Sequence, residues 1–309
     1  MRVALVDVDG HNFPNLALMR LSAYHKSRGD TVEWNFPLDH YDLCYKSKVF
    51  SAAYSKDVDV INADKVVKGG TGYAIRLEDG KEVYHPQEDG TLPAEIESCR
   101  PDYSLYPQYK YAVSMTTRGC PRGCQFCHVA PKEGKRSVRV ADVQDFWIGQ
   151  PEIKVLDPNI LACTDRVKLL NQYADTKAKI DYTQGLDIRL LDAECAEILN
   201  RTRIAEIHFA WDNPKEDLTS YFSRWAKMTK HRPHGACGTV YVLTGYNSSI
   251  EEDLYRIQAL RGLGYDPYVM IYDKPHAEKN IKDLQRWCNN RTIFKACPDF
   301  AKYRKGIER

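Results

Sequence analysis

Cys120, Cys124 and Cys127 stand within the stretch RGCPRGCQFCH, residues 118–128, separated by three and then two residues. Thiols at that spacing can hold a metal centre. A structural zinc site takes four ligands arranged as two separated pairs, and His128, adjacent to Cys127, is badly placed to act as the fourth. Three thiolates on a short glycine-bearing loop suit a 4Fe-4S cubane better: each binds one iron, and the fourth iron stays open for chemistry. A zinc site and an incidental grouping remain alternatives on these residues alone. The other cysteines (Cys44, Cys99, Cys163, Cys195, Cys237, Cys288 and Cys297) are scattered, and isolated intracellular cysteines usually behave as small core hydrophobes.

The elements around this cluster alternate. The first segment offers an apolar strand over 3–9, a helix over 15–29 ending at Gly29, and a strand over 31–36. Further strands are expected over 42–50 and 63–70, the latter running into the turn GGTGY, and a hairpin around Asp79-Gly80. A Pro- and Tyr-rich connector over 92–111 precedes six strand segments, 111–117, 152–158, 180–186, 206–212, 239–245 and 267–273. Helices are expected near 140–148, 165–178, 191–202, 216–230, 250–263 and 276–288. Strands alternating with helices imply a parallel sheet curled into a partial barrel, whose functional residues belong at the C-terminal strand ends. The cysteines follow the first of those six strands.

Bulk composition is consistent with this reading. A chain of 309 residues, 43% hydrophobic, can bury a core in each of two domains. With 44 basic against 42 acidic residues, the net charge of +2 gives no reason to expect a dominant electrostatic partner such as bulk nucleic acid. The stretch MRVALVDVDGHNFPN, an apolar run broken by aspartates, reads as neither signal peptide nor membrane span. A cytoplasmic protein with reduced thiols and no membrane partner is therefore expected.

The stretch TRGCPRGCQFC resembles the radical SAM superfamily, whose hallmark is C-x3-C-x2-C after the first strand of a partial (β/α)6 barrel; Phe126 matches the aromatic that often precedes the third cysteine. The resemblance covers most of residues 111–275. It implies that Cys120, Cys124 and Cys127 ligate a 4Fe-4S cluster and that S-adenosylmethionine (SAM) completes the open iron. Reductive cleavage to a 5′-deoxyadenosyl radical, fed by a flavodoxin- or ferredoxin-like electron donor, would follow. The substrate, whether RNA, peptide or small molecule, is not written in these residues. A non-catalytic iron-sulfur or zinc module on the same scaffold is the rival reading.

The resemblance also assigns roles at the other strand ends. Asp157 and Asn159 in LDPNIL occupy the place of the motif that holds the methionine amine, although the family's glycines and glutamate are absent. Gln184, Asp187 and Arg189 follow the third strand, where an arginine could pair bidentately with the methionine carboxylate. Asp212 could bind ribose hydroxyls. Gly245 in LTGYNSSIEED would allow close approach to adenine, with Ser248 or Ser249 capping the next helix. An ordinary turn competes at Asp157-Pro158-Asn159, and a surface ion pair with Asp187 or Asp192 competes at Arg189. Tyr272, Asp273 and Lys274 end the sixth strand and read more readily as surface than as substrate contacts. Lys132, Lys135, Arg136 and Arg139 read as a solvated charge run.

Residues 1–100 resemble the cobalamin-binding-like domain of one large radical SAM class, through the helix NLALMRLSAYHKSRGDTVEW and the GGTGY turn. Asp9-Gly10-His11 matches the start of the cobalt-ligating motif, but Pro14 replaces the glycine that should follow. A flavodoxin-like sheet that has lost its corrinoid is the expectation favoured over cobalamin binding. The expected organisation is thus an α/β chain with an open N-terminal sheet over 1–100, a partial (β/α)6 barrel over 101–275 and a C-terminal helical extension over 276–309.

Overall fold

The structure, a computed structural model, describes residues 1–309 apart from His11, Pro233, Glu308 and Arg309. The expectation placed on His11 therefore lies outside the described residues. The chain divides into two compact units, Met1–Pro158 and Asn159–Arg309.

The first unit opens with β1 (Arg2–Asp7), α1 (Leu16–Ser27), β2 (Thr31–Trp34), β3 (Tyr41–Ser47) and β4 (Ala63–Gly69), the strands paired in parallel in the order β2-β1-β3-β4. Local chemistry sets the ends of α1. The Asn15 side chain accepts the Leu18 N–H at 3.2 Å, and Gly29, at φ 82°, takes the left-handed step that follows the last turn. Leu18, Met19 and Leu21 of α1 pack with Leu5, Ile96, Leu105, Tyr106 and Val113. Each such burial is worth roughly 1.5–3 kcal/mol.

The hairpin β5 (Ile75–Glu78) and β6 (Lys81–Tyr84) turns at Asp79 and Gly80, both at positive φ, as the sequence predicts. A short α2 (Ala94–Glu97) leads to β7 (Tyr111–Ser114), which pairs in parallel with β10 (Glu152–Val155). Between them lie β8 (Thr117–Arg118), α3 (Val129–Glu133) and β9 (Val138–Arg139), with β8 and β9 pairing antiparallel. The helix expected over 140–148 does not form. Val143–Asp145 make a single 3-10 turn, closed by reciprocal bonds between Asp142 and Asp145, after Val138 and Arg139 have joined β8.

The second unit continues with α4 (Arg166–Asp175), β11 (Lys179–Tyr182), α5 (Ala193–Arg201), β12 (Ile204–Ala210), α6 (Thr219–Met228), β13 (Thr239–Thr244), α7 (Ile250–Gly262) and β14 (Asp266–Ile271). All neighbouring strands from β11 to β14 pair in parallel. Phe209 on β12 packs edge-on against Phe222 and Trp225 of α6, fixing which face of this strand the helix covers. Ser249, not Ser248, caps α7 in a reciprocal capping box with Glu252. The chain ends in α8 (Lys279–Asn289), α9 (Arg291–Ala296) and α10 (Phe300–Ile307), with Trp287 packed against Phe294 and Phe300.

Candidate functional site

In the first unit, Cys120, Cys124 and Cys127 follow β8 on a loop that returns through α3. Cys120 and Cys127 are half-buried and Cys124 is exposed. Cys44, Cys163, Cys195 and Cys288 are buried, as core hydrophobes should be. Cys99, Cys237 and Cys297 are half-buried, against the expectation for core hydrophobes, and Cys124 is the one exposed cysteine among the described residues. Soft, accessible thiols on one short loop fit an iron-sulfur cluster by donor chemistry. The Cys127 N–H bonds the Cys124 carbonyl at 3.0 Å, closing a turn inside the motif.

The loop is held from below. Gly119 sits at φ 81°, and a Cβ there would come within 2.2 Å of the Arg136 carbonyl, so only glycine lets the two ends of the loop approach. The Gly119 N–H donates to Glu133 at 3.0 Å. Arg118 donates to Glu133 at 2.7 Å and to Glu97 at 2.8 Å, and Arg20 also pairs with Glu97. Asp157, 2% exposed, accepts from the Thr116 N–H at 2.9 Å and from the Thr116 and Thr117 hydroxyls at 2.7 Å each. Burial pushes its carboxyl above the ordinary value, and the threonine bonds pull the other way. The structure thus places Asp157 behind the start of the cysteine loop.

Lys132 is not part of a solvated charge run. Its ammonium lies 2.9 Å from Asp89 and 2.9 Å from the Thr71 hydroxyl, and Asp89 also accepts from Thr71 at 2.8 Å and from Tyr84 at 2.9 Å. Next to the cluster motif, His128 stacks on Tyr84 with ring centroids 4.0 Å apart. Burial lowers the His128 pKa, favouring its neutral form. Asp89 therefore joins the helix after the cysteines to the β5–β6 hairpin and to the glycine turn. That turn is dense: a Cβ on Gly70 would come within 2.3 Å of the Lys48 carbonyl, and one on Gly72 within 2.1 Å of the Phe50 carbonyl. Arg139 pairs with Asp142, whereas Lys135 and Arg136 are exposed.

In the second unit, Asn159 is buried and its amide lies 3.5 Å from Asp187. Gln184 is exposed. Arg189 donates to Asp187 and to Glu216, both at 2.7 Å. Burial works against its charge, but the two carboxylates outweigh it and raise its pKa. Asp212 is half-buried, and burial raises its carboxyl against the pull of Arg256 and Arg189.

Gly245, at φ 71°, lines a cavity of about 490 Å³ together with Ser248, Ser249, Glu251, Asp273 and His276. His276 and Asp273 pair at 2.9 Å, Tyr272 is exposed with its ring 4.6 Å from that of Tyr246, and Lys274 is exposed.

Sequence reasoning missed Arg256. Fully buried on α7, it donates to the carbonyls of Trp211 at 2.6 Å, Asp212 at 3.0 Å and Leu243 at 2.8 Å, and pairs with buried Asp253. It ties together the C-terminal ends of β12 and β13. An Asp and an Arg three residues apart on a helix read as a surface pair, so nothing local in the sequence marked it. Thr116, Thr117, Arg118 and Glu133 were missed for the same reason: their partners are distant in sequence or bend back on a loop.

Parallel strands in each of the two units, with three cysteines on the loop after β8, make up a fold that solved structures share. Two structures of the radical SAM methyltransferase TsrM from Kitasatospora setae share it. The one with cobalamin and a 4Fe-4S cluster bound superposes with a TM-score of 0.63 at 13% identity, over 87% of this chain and 74% of that chain. The one with tryptophan substrate and the SAM analogue aza-SAM gives 0.62 at 13% identity, over 87% and 72%. No family model and no curated protein matches the sequence. The expectation that the N-terminal sheet has lost its corrinoid is not borne out, since a fold neighbour holds cobalamin. Among the described residues, no helix is long and apolar enough to cross a membrane.

Proposed function

We propose that the protein is a radical SAM enzyme in which Cys120, Cys124 and Cys127 hold a 4Fe-4S cluster and SAM takes the open iron. The observation that carries this reading is the set of three cysteines, none of them in the core, on one braced loop. When bound, the cluster supplies the electron that cleaves SAM to a 5′-deoxyadenosyl radical, for hydrogen abstraction from, or group transfer to, a substrate. A flavodoxin- or ferredoxin-like protein is the electron donor in this scheme.

The chain's own residues bind and orient. Glu133 and Asp157 fix the two flanks of the cysteine loop. Arg189, kept charged by Asp187 and Glu216, is assigned to the methionine carboxylate. Asn159 is assigned to the methionine amine, Asp212 to ribose hydroxyls, and the cavity beside Gly245 to the adenine. The reading requires a cobalamin-binding-like domain over 1–100, a barrel over 101–275 and a helical extension over 276–309.

After anaerobic reconstitution, dithionite and SAM are expected to yield 5′-deoxyadenosine from the wild type and none from Cys124→Ala. A stable cluster without SAM turnover would instead support the non-catalytic iron-sulfur module. Methyl transfer through a corrinoid is a second reading, supported by the cobalamin-bound fold neighbour. A hydroxocobalamin titration that leaves the corrinoid absorbance unchanged would remove it.

A further inference from the structure

The second unit carries a set of side chains that the reading above does not use. On β12, Ile207 and Phe209 are buried, and Phe209 faces α6, so Glu206 and His208 point to the opposite face of the strand. On β11, Asp181 is the cross-strand neighbour of Glu206 and shares that face. The register slips between Ile180 and Asp181, leaving Ala205 as an extra residue on β12. This bulge is what brings Glu206 level with Asp181. Without the slip, Ala205 would stand opposite Asp181.

The three side chains converge. One ligand atom from each of Asp181, Glu206 and His208 lies within 4.8 Å of the others, and His208 Nε2 is 3.0 Å from a Glu206 oxygen. Three ligands around one ion with bonds of about 2.1 Å stand roughly 3–4 Å apart, so small rotamer adjustments close the set. Asp181 is buried, the His208 side chain is 12% exposed and that of Glu206 is 49% exposed, so the site is anchored inside and open on one side.

The surroundings favour a cation. Tyr241 stands beside His208, with ring centroids 5.4 Å apart. Two carboxylates beside one imidazole concentrate negative charge on this face. Below, a Cβ on Gly185 would come within 3.1 Å of the His208 carbonyl, and the Leu186 N–H bonds that carbonyl at 2.8 Å, which fixes the His208 backbone.

We infer that Asp181, Glu206 and His208 form a binding site for one divalent first-row transition ion, with further positions open to solvent or substrate. One imidazole and two carboxylates suit Zn²⁺, Mn²⁺ or Fe²⁺ and disfavour the softer thiolate-seeking ions. His208 lies four residues before Asp212, roughly 13 Å along an extended strand, so the site occupies a lower level of the sheet than the strand-end residues.

The test is a Mn²⁺ titration of the cluster-loaded protein after passage over a chelating resin, reading free Mn²⁺ by its EPR signal. One ion per chain is expected, with His208→Ala and Asp181→Asn each weakening uptake at least tenfold. Glu206→Gln, at an exposed position that leaves the core intact, should weaken it as well. Cys124→Ala should bind Mn²⁺ like the wild type, which separates this site from the cluster and its fate from that of the radical SAM reading. No uptake by the wild type at millimolar Mn²⁺, or equal uptake by wild type and Glu206→Gln, would overturn the inference.

Discussion

The cysteine loop of the first unit and the Arg256 node of the second solve opposite problems. At the loop, Cys124 is exposed, Cys120 and Cys127 are half-buried, and the polar bonding that braces them lies in Asp157, Glu133 and Arg118. At the node, the polar groups are themselves the interior: Arg256 is fully buried and satisfies three strand-end carbonyls and Asp253. The contrast shows how a shared fold divides its labour. A place that must admit a cofactor keeps its ligands accessible and invests buried hydrogen bonds in their support. A place that must only stay rigid can bury the charge outright, because the guanidinium nitrogens all find acceptors.

That contrast can be broken by mutation. Arg256→Met should have the largest effect on folding, about 3–5 kcal/mol in denaturant unfolding, because Asp253 is left buried without its cation. A loss below about 1 kcal/mol would put the node on a par with an exposed ion pair. Lys132→Met should cost less, about 2–3 kcal/mol, since Asp89 retains the Thr71 and Tyr84 hydroxyls. Its sharper signature is faster amide exchange over residues 69–73 with cluster loading preserved. Unchanged exchange there would show that Asp89 does not couple the cysteine segment to the glycine turn.

The smallest expected effect belongs to neither region and serves as a control. Asp57 is opposed by burial, but bonds from Lys46 and Tyr73 prevail and lower its carboxyl to about 2. A depressed acid contributes its full stability above the ordinary value near 4 and loses it as pH falls toward 2. Thermal melts should therefore show Asp57→Asn below the wild type at pH 6, with the two converging near pH 2. Both chains are melted without added iron or sulfide, so their difference isolates the carboxylate. A gap that persists at pH 2 would mean that Asp57 acts through packing instead.

The elements that could be read from sequence are those whose causes are local. Ser249 caps a helix, Gly29 ends one, and Asp79-Gly80 turns a hairpin, each through bonds or backbone angles confined to a few residues. The cysteine motif is local in the same sense, since Cys120, Cys124 and Cys127 share one loop. Residues 140–148 misled because Val140, Val143 and Trp147 imitate a helical repeat, while Asp142 and Asp145 close a shorter turn between them. Lys132 looked like one charge in a run, and its partner Asp89 is 43 residues away. Asp181, Glu206 and His208 meet only because one strand slips by a residue against its neighbour, which no reading of either strand alone can show.

The central claim is that the three cysteines leave one iron open for SAM. EPR of the dithionite-reduced, reconstituted protein tests it most directly. The account predicts a cluster signal whose g-values shift when SAM is added and that is absent from Cys124→Ala. A reduced cluster signal unchanged by SAM, or one that survives in Cys124→Ala, would contradict it.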